Sequence, residues 1–332
     1  MEFRTIVDIP THVPQISHQD KLMLMGSCFA ENIGNMLVDA KFRCDVNPFG
    51  ILYNPHSIRI ALRQIMENKQ YTEADLFYHD ERYRSYMHHG SFAGDDQQMV
   101  LNGINHRINE AHNSLPHLNY LLLTFGTSWV FRLKENGQIV SNCHKMPAGI
   151  FERTRMTIDE IIEDYTALIQ DIRKQNPLCK FLFTVSPIRH AKDGAHGNQL
   201  SKAILLLAIE QLQELFPDSV VYFPSYEIVL DELRDYRFYN EDMTHPSPLA
   251  LEYVWERFSG SFFSGQTQTI IKECQKIKKD LLHRPINKDS KAYRAFLKQI
   301  VLKINGVEEK YPNLDLEKEK ERCHTLLNSL QN

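Results

Sequence analysis

Five short stretches of this chain, residues 22–25, 42–46, 120–125, 181–185 and 220–223, are largely apolar and often β-branched or aromatic. Runs of that length and character read as strands buried on both faces. Between them, residues 30–40, 57–68, 158–174 and 199–216 carry apolar side chains at helical spacing, with Thr157 and Asn198 placed as N-caps. A parallel neighbour can be reached only by a crossover connection, so strand alternating with helix predicts a parallel sheet covered on both faces. The expected fold class is therefore α/β, a three-layer, doubly wound parallel sheet.

Two segments break that rhythm. Residues 71–117 are polar, aromatic-rich and too long for a plain connection, which predicts a partly helical insertion. Residues 129–145 hold two strand-like runs around Asn136-Gly137, a hairpin signal. Both are expected to roof a site. Beyond about residue 264 the strand signals stop, and three charged helical stretches follow, interrupted by Pro285 and Pro312. The expected organisation is an α/β domain over 1–263 and a C-terminal helical extension over 264–332. The extension is amphipathic enough to dock on its own core or on a second copy, so oligomeric state stays open.

Composition narrows the partners. A formal charge of −4 on 332 residues argues against nucleic acid or an anionic membrane as the main partner. The start, MEFRTIVDIP, lacks a basic, apolar secretory pattern, and no apolar run reaches the roughly 18 residues of a membrane span. The reading is cytoplasmic. Six scattered cysteines with no C-x-x-C pair fit reduced thiols, and neither zinc nor another cofactor is spelled by the spacing; Cys143-His144 has no second ligand pair.

In an open α/β sheet ligands bind beyond the carboxyl ends of the strands. Those ends supply Gly26-Ser27-Cys28, Asn47-Pro48-Phe49-Gly50, Gly126-Thr127-Ser128 and Ser186-Pro187-Ile188-Arg189-His190, while the last run leads on to Asp242-Met243-Thr244-His245. Gly26-Ser27-Cys28-Phe29-Ala30-Glu31, the later Gly50, Gly126-Thr127-Ser128 and the Asp242-x-x-His245 pair resemble the ordered blocks of the SGNH (GDSL-type) hydrolases. The first motif is also the literal signature of the GSCFA family, a bacterial group distantly similar to them. The resemblance spans roughly residues 20–262 and implies an SGNH-hydrolase-like, flavodoxin-like fold.

Laid on the family pattern, Gly26, Glu31 and Gly34 match, Ser27 takes the place of the Asp, and Cys28 that of the nucleophilic Ser. A thiol at a helix N-terminus sits among free N–H groups that favour its thiolate. Ser27 remains an alternative nucleophile one residue away, or a turn residue bonding its local backbone. Asp242 and His245, three apart and just before Ser247-Pro248, fit an imidazole base oriented by a carboxylate; the bland reading is an Asx-turn ahead of a helix.

The resemblance implies oxyanion donors in the Cys28 N–H, the Gly50 N–H and a side chain after the third strand. Here the family's Asn is replaced by Ser128, a shorter donor, with Asn47 or Asn142 as possible substitutes. Gly50 reads equally as a tight-turn glycine and Ser128 as a strand-end hydroxyl. Arg189 and His190 are candidates to hold an anionic or hydroxylated substrate, or form a surface ion pair. The implied function is a hydrolase or acyltransferase acting on an ester or thioester of a small molecule or glycan, without cofactor. The alternative is an SGNH-like scaffold without turnover that binds a glycan or protein.

Overall fold

The computed structural model describes residues 4–10, 13–283, 285–286 and 290–329. Its first apolar run becomes β1 (Lys21–Gly26), buried from Leu22 onward. Side chains alternate across a strand, so Met23 and Met25 enter one hydrophobic cluster and Leu22 and Leu24 another. The next runs form β2 (Arg43–Val46), β5 (Tyr120–Phe125), β9 (Lys180–Val185) and β10 (Val220–Tyr222). β5 and β9 divide in the same way, with Leu121, Leu123, Phe181 and Phe183 on the first face and Leu122 and Leu182 on the second.

These five strands form one sheet in the order β10-β9-β5-β1-β2, every pair parallel. The chain leaves β1 to one side for β2 and crosses to the other for β5, so the order reverses between β1 and β5. That is a topological switch point, where such sheets open a crevice at their carboxyl edge.

Helices cover both faces. The first cluster takes Ile58 and Leu62 from α2 (Pro55–Met66), Ile104 and Ile108 from α3 (Gln97–Ser114), Ile161 and Tyr165 from α4 (Ile158–Gln175), and Leu205 and Ile209 from α5 (Gly194–Leu215). The second takes Phe29, Ile33 and Leu37 from α1 (Cys28–Asp39) and Val254 and Phe258 from α7 (Pro248–Phe262), which follows the short α6 (Ser225–Glu227). Thr157 caps α4 in a reciprocal capping box with Glu160. Asn198 is not a cap: α5 begins four residues earlier, at Gly194, and Asn198 is buried inside the helix.

The insertion contains a tight hairpin, β3 (Phe77–His79) and β4 (Arg82–Arg84), whose turn residues Asp80 and Glu81 both take positive φ, as well as α3. The hairpin expected around Asn136-Gly137 forms between β6 (Trp129–Leu133) and β7 (Ile139–Val140), and gains a third strand, β8 (Phe151–Arg155). Sequence patterning missed β8 because only Phe151 of its FERTR run is buried.

Three helices close the chain, α8 (Gly265–Leu282), α9 (Lys291–Lys310) and α10 (Glu317–Ser329), around a cluster of their own that includes Ile277, Ile300 and Cys323. They meet the α/β unit at the start of β2: Lys41 pairs with Glu319 at 2.6 Å, Lys278 with Asp39 at 2.6 Å, and Ile271 joins the second cluster. This is the sheet edge opposite the crevice. Among the described residues no helix is long and apolar enough to cross a membrane.

Candidate active site

Gly26 ends β1 at φ +148°, and a Cβ there would stand 2.3 Å from the Thr124 carbonyl oxygen, so only glycine lets β1 and β5 approach so closely before the chain turns. The turn delivers Ser27 as the N-cap of α1. Its Oγ accepts the Phe29 N–H at 3.3 Å, and the residue is 2% exposed. Its hydroxyl oxygen serves the helix.

Cys28 is the first residue of α1 and half-buried. Its Sγ lies 4.0 Å from Tyr53 Oη, the side-chain hydrogen-bond partner of that sulfur among the described residues. Burial is the largest influence on the thiol and pushes its pKa up; the Tyr53 hydroxyl and the Cys28 backbone N–H pull the other way, and Glu31 adds a small rise. The expectation of a thiolate formed by the helix N-terminus alone is thus corrected. Removal from water outweighs the partial charge of the helix end, and the resting group is a thiol.

Tyr53 is held by its backbone. Its carbonyl accepts the N–H groups of Gly126 and Thr127 at 2.8 and 2.9 Å, locking it to the end of β5. Burial raises its phenol well above the ordinary value, so it stays a donor. A Cβ on Gly126 would lie 2.9 Å from that Tyr53 carbonyl oxygen and 3.5 Å from both His190 Nε2 and Ser27 Cβ. One point next to Gly126 therefore borders three strand ends.

Behind it, Lys202 of α5 is buried, and its Nζ donates at 2.6 Å to the carbonyls of both Gly126 and Ser186. Burial lowers this amine to about 7. His190 donates its N–H to Asn198 Oδ1 at 2.9 Å, and its ring stands edge-on to Tyr53 at 6.2 Å. Burial, reinforced by the Lys202 charge, lowers the imidazole to about 4, so it is neutral near pH 7. Arg189 reaches Tyr226 Oη at 3.2 Å and Gln199 at 3.3 Å, hydrogen bonds to uncharged partners in place of a surface ion pair.

The Arg189 N–H also donates to the Thr244 carbonyl at 3.0 Å, fastening the Asp242–His245 loop to the segment after β9. Within that loop His245 Nδ1 is 2.5 Å from Asp242 Oδ2, while Asp242 Oδ1 accepts the N–H groups of Thr244 and His245, each at 2.9 Å. Those backbone donors, His245 first, and then the imidazole hold the Asp242 carboxyl far below its ordinary range. His245 Nε2 has no protein partner among the described residues, and no hydrogen bond joins it to Cys28.

The expected oxyanion donors fare differently. Gly50 adopts φ +73° and its N–H donates to the Asn47 carbonyl at 2.7 Å, so that N–H is spent inside a turn. A Cβ on Gly50 would also strike His89 of the insertion at 2.3 Å. Ser128 is fully buried and its Oγ donates to Ser201 Oγ at 3.0 Å, a hydroxyl committed to α5. Both are corrections, made by partners the sequence pattern does not display. Asn47 Oδ1 accepts the Gly26 N–H at 2.9 Å, leaving Nδ2 buried without a partner. Asn142 folds its own turn, its Oδ1 accepting the His144 N–H at 2.8 Å.

Tyr53 and Lys202 were not anticipated. The signal for Lys202 lay in α5, where Asn198, Ser201 and Lys202 stand on the same buried row as Leu205, Ala208 and Leu212. Tyr53 carried none beyond its place before the Asn54-Pro55 helix start, which Asn54 caps. Among the described residues no group of three or more His, Cys, Asp or Glu side chains is placed to hold a metal ion.

The profile of the GSCFA family matches residues 21–258, and that of the GSCFA domain protein C-terminal domain matches residues 274–329. The chain belongs to the GSCFA family. No curated protein matches it. Among solved structures it is similar to a candidate platelet activating factor from Streptococcus pneumonia, at 12% identity and a TM-score of 0.37 over 75% of this chain and 86% of that one. It is also similar to an acetyl xylan esterase from the rumen bacterium Butyrivibrio proteoclasticus, at 11% identity and a TM-score of 0.36 over 74% of this chain and 63% of that one. The GSCFA signature itself falls on the turn from β1 into α1, at the carboxyl edge of the sheet.

Proposed function

We propose that this GSCFA protein transfers an acyl group from an ester or thioester through Cys28, with His245 as the base and Asp242 as its orienting carboxylate. The observation that carries the reading is the Asp242–His245 pair. A carboxylate fixed by two backbone N–H groups grips Nδ1 at 2.5 Å and leaves Nε2 as the imidazole's free face. Its loop is tied through Arg189 to the sheet edge where Cys28 heads α1.

Because burial keeps Cys28 a thiol, the base acts in the same step as attack. His245 Nε2 takes the Sγ proton as sulfur bonds to the carbonyl carbon. The tetrahedral adduct collapses, the C–O or C–S bond to the leaving group breaks, and the imidazolium returns its proton to the departing alcohol or thiol. Water, for a hydrolase, or a hydroxyl of a small molecule or glycan, for a transferase, then attacks the Cys28 thioester with His245 again as base. No metal or cofactor enters these steps.

A second reading is favoured by one observation: the Gly50 N–H, and the Ser128 hydroxyl that stands where the family pattern has Asn, are spent on Asn47 and Ser201. On that reading the scaffold binds a glycan or protein without turnover. Turnover of p-nitrophenyl esters and acyl thioesters by wild type, Cys28→Ala and Ser27→Ala separates the two. The enzyme reading expects activity abolished by Cys28→Ala and retained in Ser27→Ala. Activity lost only in Ser27→Ala would move the nucleophile, and inert wild-type protein across a broad acyl panel would favour the binding scaffold.

A further inference from the structure

We propose that the Tyr53 hydroxyl is the side-chain donor to the oxyanion formed at Cys28, taking the role that Ser128 and Gly50 are not free to fill. The inference rests on the reading of Cys28 as the acylated nucleophile and names a residue that the family blocks do not contain.

The geometry that supports it is local. Tyr53 Oη stands 4.0 Å from Cys28 Sγ. A productive donor lies about 2.7–3.1 Å from the position of the oxyanion. That oxygen is one bond beyond a carbon attached to Sγ, so a donor at this separation from the sulfur reaches it without moving the backbone. The Cys28 N–H, turned towards its own sulfur at the head of α1, supplies the second donor.

Tyr53 is also rigid, which a donor of this kind must be, because reorganisation during the reaction forfeits the electrostatic gain. Two N–H groups from the end of β5 clamp its carbonyl, and Asn54, the next residue, caps α2 through the Ser57 N–H at 2.8 Å. Lys202 in turn holds the Gly126 carbonyl at 2.6 Å, fixing the peptide against which Tyr53 is pinned. The neighbouring His190 ring, edge-on at 6.2 Å, limits where the phenol can swing. A phenol whose ionisation burial has suppressed can only donate to an anion beside it.

The test compares two reactions at one sulfur. Acylation by p-nitrophenyl acetate builds an oxyanion; alkylation by iodoacetamide does not. Wild-type and Tyr53→Phe proteins are followed by p-nitrophenolate release, by intact mass, and by peptide mapping of the modified cysteine, with the thermal midpoint as a check on folding. The expected result is a loss on the order of 100-fold in Cys28 acylation in Tyr53→Phe, with Cys28 alkylation changed by no more than a few-fold. Equal acylation in both proteins would overturn the role of Tyr53 and leave the nucleophile standing. A parallel fall in both reactions would overturn it as well, assigning Tyr53 to holding the thiol. Wild-type protein that alkylates but never acylates at Cys28 would overturn the acyl-transfer reading and this inference with it.

Discussion

Asp242 shows how a single side chain organises the proposed chemistry. One oxygen accepts two backbone N–H groups and the other faces His245 Nδ1, so the carboxylate both closes its loop and sets the tautomer that leaves Nε2 unprotonated. Asp242→Asn keeps a carbonyl oxygen for the backbone but presents an amide N–H to Nδ1, which selects the opposite tautomer. Cys28 acylation is expected to fall by about 10³–10⁴-fold with little change in thermal midpoint; an unchanged burst of p-nitrophenolate would remove His245 from the reaction. These candidates could be named from the sequence because Asp-x-x-His and Gly-Ser-Cys are local patterns, each complete within a few positions. Thiol ionisation was not legible at that scale. The helix end that favours a thiolate is written beside Cys28, whereas the burial that outweighs it is contributed by elements distant in the chain.

At the scale of elements, β1, β5 and β9 could be read directly, because a parallel strand covered on both faces has no polar side to disguise it; β2 and β10, expected to be buried on both faces, are the edges of the sheet and only partly buried, with Arg43 exposed. What escaped notice were elements whose reason lies elsewhere. β8 is a charged strand held by β6, and the first turn of α5, GAHG, carries no helical stripe. With the start of α5 misread, its inward polar row went unassigned, and that row decides the site: Asn198 holds the His190 N–H, Ser201 takes the Ser128 hydroxyl, and Lys202 bridges the ends of β5 and β9. Burial lowers the Lys202 amine from its ordinary 10.5 to about 7. Between those values the unfolded chain holds a proton that the folded one has released, so this residue makes stability rise as pH increases from about 7 towards 10.5. Even the neutral amine keeps two N–H groups, enough for both carbonyls. Lys202→Met leaves the Ser186 carbonyl without its Lys202 donor, at about 1–3 kcal/mol, takes one of two donors from the Gly126 carbonyl, which His190 also contacts, and removes this part of the pH slope. Denaturant titrations at pH 7 and pH 9.5 test this: the wild type is expected to gain more than the variant, and parallel changes would contradict the assignment.

Over the whole molecule, the parts sort by sheet edge. The three C-terminal helices grip the start of β2 through Lys41–Glu319 and Lys278–Asp39, while the turns after β1, β5 and β9 gather Cys28, Gly126 and His190 around Tyr53 at the opposite edge. Support and the proposed chemistry are thus separated by the length of the strands. The insertion reaches the same edge, where the His89 N–H donates to the Phe49 carbonyl at 3.0 Å beside Gly50. The α/β class and the C-terminal helical extension followed from the order of apolar runs, but the covering of the site did not, since it depends on contacts between segments with no shared pattern. All of it bears on whether one thiol among six is poised for attack. Competitive labelling of the folded protein with a limiting thiol-directed probe, read by peptide mass, measures that directly. Cys28 is expected to react faster than Cys44, Cys143, Cys179, Cys274 and Cys323, and to slow in His245→Ala. Labelling of Cys28 that is no faster than that of the other five, or that ignores the loss of His245, would contradict the account.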